Sequence, residues 1–378
     1  MTNGVGSLLG AHPLLWGWLL VALACGLDRL IGDPRWSPHP VVVMGWWISR
    51  LQQPMERWAV DRPWKLRAGG GLITLLLVGA SGLLGFWMER LAQASGWIGR
   101  LGILLLVAGL ASALAGRSLA LAVNAVLEVL PDQSRGNPSA ASREGPTDLD
   151  GASALKLARQ RLGWIVGRDT RELSGVEILR AAAETASENA VDGQFAPLFW
   201  MLFGAGLWGL NPALPGPLAL AWGFKAASTL DSMLGYRRGR LQWLGTAGAR
   251  LDDLLVWLPC RLVALSLPLV QRLPWQTPPL TPRRWWQQVH ASLRDGKPDP
   301  SPNAGVSQAA YAHAAGVQLG GRNRYAEGWK LKPLLAEGQP AADGLAVERI
   351  LGLSRRLSLL WLTSTGLAAL ALTLAPGQ

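Results

Sequence analysis

The chain is 378 residues long, 49% apolar and only 16% charged, with a formal net charge of +11 at pH 7. Soluble domains carry about 25% charged residues, so the composition excludes an ordinary string of two or three soluble domains. Twenty Trp against three Tyr and five Phe point to a membrane boundary, where an apolar ring with one N–H donor suits a half-wet site. In a soluble protein this basic balance would suggest nucleic acid. Here no zinc-ligand spacing, RNA-binding aromatic motif or long basic run supports that, and Lys and Arg accumulate in the cytoplasmic loops of membrane proteins. Cys25 and Cys260 lie in apolar segments and give neither a metal-ligand spacing nor a disulfide framework.

Crossing a bilayer takes roughly 20 apolar residues. The first such segment, 1–27, has no Asp, Glu, Lys or Arg. It lacks the basic start and small-residue cleavage site of a signal peptide, so it is expected to remain as a membrane helix. The loop 28–67 holds seven basic residues, which predicts a cytoplasmic loop and an external N-terminus. Segments 68–88 and 101–116 are uncharged. The polar region 117–192 follows, with a Pro/Gly/Ser-rich stretch at 131–151 that reads as a flexible loop. Ser174 with Glu177 three residues later forms a capping box, which predicts a helix starting near Gly175.

Segment 193–224 has no ionisable side chain but contains Pro212, Pro215 and Pro217. These favour a turn back over a single crossing. Segment 254–270 is apolar around Arg261, and 357–376 is uncharged. The expectation is an all-α, polytopic membrane protein with about five or six apolar segments and helical cytoplasmic loops. It is read as one membrane-embedded domain over 1–378.

Four clusters combine chemistry with these segments. In "DRLIGDPRWSPHPVVVMGWW", Asp28 and Asp33 flank a tight turn and His39 sits between prolines. The segment suits a cation or an anionic substrate, or only a capped turn. In "ETASENAVDGQFAPLFW", Glu184, Glu188 and Asp192 recur every four residues at the edge of an apolar run, with Arg168 upstream. Carboxylates and phosphate oxygens suit Mg²⁺, and Arg suits phosphate; the alternative is a solvated helix face. In "FKAASTLDSMLGY" and "GARLDDLLVWLPCRL", Lys225 suits a phosphate, and Asp231 and Asp252 add carboxylates at a membrane edge. In "SPNAGVSQAAYAHAAGVQLGGRNRY", Ser301, Asn303 and Gly305 open a helix whose N–H groups suit an anion, and a glycine turn follows beside Asn323. A capped helix start has the same appearance.

Taken in order, "GDPRWSPHPVVVMG", "ETASENAVDGQFAPLFW", "KAASTLDSMLGY", "ARLDDLLVWLPCRL" and "SPNAG…GVQLGG…Y" resemble the membrane-bound CobD/CbiB proteins of cobalamin biosynthesis. The resemblance spans nearly the whole chain, apart from 131–151 and the last segment. Two positions depart from it: Asp299 stands where a His is expected, and Ser228 where an Asn-like residue is expected. The resemblance implies an adenosylcobinamide-phosphate synthase. Such an enzyme joins (R)-1-amino-2-propanol, or its O-phosphate, to a propionate of adenosylcobyric acid through an amide bond. It further implies ATP as co-substrate with Mg²⁺, an inner-membrane location with the site facing the cytoplasm, and contact with later membrane proteins of cobalamin assembly.

Activating a carboxylate as an acyl phosphate needs cations around the transferring group, and the amine needs a base. On this expectation Glu184, Glu188 and Asp192 hold Mg²⁺, and Asp231 or Asp252 supplies a base or further ligand. Arg168, Lys225, Ser301, Asn303, Gly305 and Asn323 bind phosphate or substrate. Two rivals remain: a transporter, and a regulatory relative of the same fold without catalysis. Transporters place ionisable side chains within spanning segments, whereas here they gather at segment edges.

Overall fold

The computed structural model describes residues 12–33, 39–130, 151–271, 280–325 and 328–374. Of the loop predicted at 131–151, residues 131–150 lie outside the described residues, as does the Pro-rich stretch at 34–38, while Gly151 opens a helix. The helices are α1 (Pro13–Leu30), α2 (Pro40–Ala59), α3 (Pro63–Ala92), α4 (Gly96–Ala111), α5 (Gly116–Leu127), α6 (Gly151–Gly163) and α7 (Gly175–Ala190). They continue, after a π turn at Val191–Phe195, as α8 (Ala196–Leu210), α9 (Pro217–Leu234), α10 (Leu241–Leu244), α11 (Thr246–Val270), α12 (Pro282–Gly296) and α13 (Ala304–Ala315). A two-stranded antiparallel hairpin, β1 (Leu319–Tyr325) and β2 (Gly328–Leu335), precedes the long α14 (Gly344–Leu374).

Helix starts follow local rules. Pro stands at the first position of α1, α2, α3, α9 and α12, where its missing N–H costs no helical bond. The capping box at α7 forms as read: Ser174 Oγ accepts the Glu177 N–H, and the Glu177 carboxylate accepts the Ser174 N–H. Among the described residues, five helical stretches are long and apolar enough to cross a membrane: Pro13–Leu30, Pro63–Ala92, Gly96–Leu127, Thr246–Val270 and Gly344–Leu374. The fold is that of a polytopic helical membrane protein. Exposed Trp rings carry cations over their faces, with Arg50 5.2 Å from Trp46 and Lys65 5.1 Å from Trp58, an arrangement suited to a half-wet boundary.

The fold divides into two compact units. Unit 1 takes Met1–Arg117, Asp192–Val256 and Trp361–Gln378; unit 2 takes Ser118–Val191 and Trp257–Leu360. In unit 1, α9 packs against α3 and α8, and α1 against α8 and α4, around a core that includes Leu20, Ile73, Leu110, Trp208 and Leu218. The proline-rich centre of 193–224 does turn the chain back, between α8 and α9. The return is tight: a Cβ on Gly204 would fall on the Gly216 carbonyl. In unit 2, α7 packs against α6, α13 and β1, and α12 against α13 and β2. The hairpin replaces the simple glycine turn expected around 319–325. Gly320 and Gly321 take φ of +85° and +89° at its register shift, a conformation glycine adopts without a Cβ penalty.

One buried carboxylate fixes the start of α9. Glu89, fully buried on α3, accepts N–H bonds from Gly216 (2.8 Å), Leu218 (2.7 Å) and Ala219 (2.9 Å). The helix's positive end and its orphan donors are both satisfied by a side chain more than a hundred residues away in sequence. Glu89→Ala is therefore expected to destabilise the protein by about 3 kcal/mol, since each buried donor left unpaired costs about 1–3 kcal/mol. Thermal unfolding in detergent checks this: an unchanged midpoint contradicts the cap.

Candidate functional site

Unit 1 gathers carboxylates around one lysine. Asp28, near the end of α1, is only 7% exposed. It accepts backbone N–H bonds from Gly116 and Arg117 at the start of α5, while its Oδ1 has no hydrogen-bond partner. Asp33 follows in the turn after α1, and its Oδ1 lies 3.2 Å from His39 Nε2. His39 Nδ1 accepts the Val41 N–H at 3.3 Å as the cap of α2. That bond leaves Nε2 as the protonated nitrogen of the neutral ring, donating to Asp33. Lys225 on α9 lies within electrostatic reach of four carboxylates: Asp192, Asp33, Asp252 and Asp28. Asp252 on α11 also feels Asp231 and Asp253, and its Oδ1 is buried without a partner.

These residues fit a hard cation. Two buried carboxylate oxygens, on Asp28 and Asp252, are unsatisfied in a setting where an unpaired polar atom is costly. Among the described residues no group of three or more His, Cys, Asp or Glu side chains forms a ready metal cage. Mg²⁺ in general is held by one or two carboxylates and completes its shell with water and phosphate oxygens.

Unit 2 matches its acids with bases instead. Glu184, 2% exposed on α7, pairs through Oε2 with Arg168. Its Oε1 accepts the Gly320 N–H at 2.9 Å and lies 3.9 Å from Arg180. Arg168 donates its other terminal nitrogen to Asn323 Oδ1 at 2.7 Å, and Arg180 donates to the same oxygen at 3.2 Å. Asn323 is 2% exposed and its Nδ2 has no partner. Both oxygens of Glu184 are thus engaged in anchoring β1 to α7. Glu188 accepts from Gln308 Nε2 at 2.6 Å. Burial pushes the Glu188 carboxyl above its usual range, against the opposing pull of Lys332. Lys332 sits 3.3 Å from Asp299. Burial works against its charge, but the carboxylates of Glu188 and Asp299 hold its pKa above normal.

At the start of α13, Ser301 Oγ accepts the N–H groups of Asn303 (3.3 Å) and Ala304 (3.2 Å). Asn303 Oδ1 accepts from Arg261, whose guanidinium stacks 4.8 Å over Trp257. Gly305 has a packing role: a Cβ there would meet the Gly296 carbonyl of α12.

The structure therefore brings Asp192, Lys225, Asp231 and Asp252 together in unit 1. In unit 2 it joins Arg168, Glu184 and Asn323, places Glu188 with Gln308 and Lys332, and gathers Ser301, Asn303 and Gly305 at one helix start. The row Glu184, Glu188, Asp192 is divided: the glutamates belong to unit 2 and Asp192 to unit 1. Sequence reasoning left Gln308, Lys332 and Glu89 out, and no local pattern marks them. It noticed Asp28 and Asp33 but gave them no partner, because Lys225 is almost two hundred residues away.

The chain matches the family described as CobD/Cbib protein over residues 21–354. It is 38% identical over 366 residues to the cobalamin biosynthesis protein CobD of Synechocystis sp., covering 96% of this chain and 95% of that one. It is 35% identical over 357 residues to the cobalamin biosynthesis protein CbiB of Salmonella typhi, covering 93% and 95%. It is 34% identical over 364 residues to the cobalamin biosynthesis protein CobD of Pelobacter propionicus, covering 94% of each. No solved structure matches it.

The Glu188 environment predicts a pH effect with a definite sign. Its folded pKa is raised above the ordinary value of 4.5, so the folded state holds a proton that the unfolded state releases. Stability from this group is present below 4.5 and is lost as pH rises through the folded value. Glu188→Gln should therefore match wild type at pH 4 and grow relatively more stable as pH rises above 4.5. Unfolding midpoints measured across that range check it. A gap independent of pH contradicts the assignment.

Proposed function

The chain belongs to the CobD/CbiB family, and from that premise we propose that it forms an amide bond between (R)-1-amino-2-propanol, or its O-phosphate, and a propionate of adenosylcobyric acid, driven by ATP. The names of its relatives support a biosynthetic role in cobalamin assembly. The observation that carries the reaction class is Lys225 surrounded by Asp28, Asp33, Asp192 and Asp252, a set suited to a metal–phosphate complex beside a base.

The propionate oxygen attacks the γ-phosphorus of ATP, giving an acyl phosphate and ADP. The amine nitrogen then attacks the acyl carbon, the C–O bond to phosphate breaks, and inorganic phosphate leaves. In this reading Lys225 holds the phosphoryl oxygens as a point charge. Asp192 and its neighbouring carboxylates in unit 1 hold Mg²⁺, which when bound neutralises the charge on the nucleotide oxygens. Asp252 takes the amine's proton at its unpartnered Oδ1, with Asp231 beside it.

In unit 2, Glu184 fixes Arg168 and Asn323, and the Ser301–Gly305 turn is rigidly capped. We assign these groups to positioning the hairpin and to recognising the anionic substrate through Asn323 Nδ2. The same reading puts the site at the cytoplasmic face of the inner membrane, where basic loops gather. The gathering of ionisable groups at helix ends supports chemistry over transport.

The test is direct. Purified protein with adenosylcobyric acid, ATP, Mg²⁺ and either amine should yield the amide, identified by mass. No product with either amine removes the enzyme reading. Chelating the metal should abolish product, and Asp252→Asn should lower kcat by about 10²–10⁴-fold with little change in folding, the range for losing a general base. Wild-type turnover in Asp252→Asn would move the base elsewhere.

A further inference from the structure

Asp28 in the last turn of α1 and Asp33 just beyond it are two of the unit 1 carboxylates to which the proposed function gives no individual role. Asp28 and Asp33 are five residues apart, and each is oriented by a separate device. Asp28 is fixed by the backbone N–H groups of Gly116 and Arg117. Asp33 is fixed by the His39 ring, itself fixed by the Val41 N–H. A histidine holding a carboxylate in this way is the outer-shell arrangement that sets a ligand's direction.

The two acids act on each other electrostatically. Holding two like charges within electrostatic reach of each other is unfavourable unless a cation offsets them. Asp28 is buried, yet its Oδ1 has no hydrogen-bond partner. The nearby cations do not satisfy that atom. Arg117 donates its Nη1 to the Arg29 carbonyl at 3.0 Å, and Lys225 stands in the midst of four carboxylates.

We propose that Asp28 and Asp33 form a divalent-cation site of the Mg²⁺ class, with Asp28 Oδ1 as a direct ligand and His39 as the positioning residue for Asp33. The remaining coordination positions go to Asp192, to water and to an anionic phosphate held by Lys225. This deepens the reading of the unit 1 site, on which it rests for the role of the ion. The existence of the site is tested without nucleotide or corrinoid.

The probe is Mn²⁺ alone, followed by electron paramagnetic resonance on the purified full chain in detergent. Wild type should bind about one Mn²⁺, displaced by Mg²⁺. Asp28→Asn and Asp33→Asn should each weaken binding at least about 10-fold, and His39→Gln should weaken it by about 10-fold or more, as expected for an outer-shell partner. Glu184→Gln should retain wild-type affinity. Asp28 is buried, so its variant is checked by thermal unfolding. Should it misfold, Asp33→Asn and His39→Gln, at half-buried positions, decide the matter. Wild type that binds no Mn²⁺ at millimolar concentration overturns the site. So does wild-type affinity in Asp33→Asn and His39→Gln. A Mn²⁺ site that survives while no amide product forms would support this inference and remove only the ligase reading.

Discussion

A negative charge beside an apolar helix end is expensive unless something compensates it, and this chain repeats that arrangement. Glu89 shows the solved case. It is fully buried, and three backbone N–H groups at the start of α9 receive its charge. The result is structural: α3 and α9 are locked together, and α9 carries Lys225 and Asp231 in a fixed position. Asp28 shows the incomplete case, with one oxygen on backbone donors and the other unpaired. The difference between these carboxylates separates scaffold from site.

The same contrast distinguishes the two units. In unit 2, Glu184 meets Arg168 and Arg180, and Asp299 meets Lys332. Asp295 meets His313 at 2.8 Å. Such networks rigidify an assembly of small residues: much of α7 and α13 is alanine, which buries little surface and leaves the polar ties to specify the packing. In unit 1, four carboxylates surround one lysine. On the proposed function a bound Mg²⁺ would supply the missing positive charge, and in a setting poorer in water than bulk solution each charge would act more strongly.

How much was legible follows from the range of each interaction. The Ser174–Glu177 cap, the prolines at helix starts and the turn at 211–216 are encoded within a few residues, and the chain displays them openly. The apolar segments are equally plain, because a bilayer demands length and composition rather than partners. The β-hairpin was hidden: two glycines follow Leu319 at the start of its first strand, and the Gly320 N–H there is held by Glu184, 136 residues away. The acids were visible as acids, but their roles were not. Glu184, Glu188 and Asp192 share a helical spacing, yet Glu184 answers to arginines, Glu188 to Gln308, and Asp192 to Lys225. Spacing fixes a face; only the tertiary partner decides what a carboxylate does.

The central claim is that the unit 1 carboxylates and Lys225 serve phosphoryl transfer to a substrate carboxylate. The most direct measurement follows oxygen. Adenosylcobyric acid labelled with ¹⁸O in its free propionate is turned over with ATP, Mg²⁺ and the amine, and the released phosphate is examined by ³¹P NMR. The account predicts that one labelled oxygen moves from the carboxylate to inorganic phosphate. Amide product accompanied by unlabelled phosphate, or by label in AMP, would contradict it.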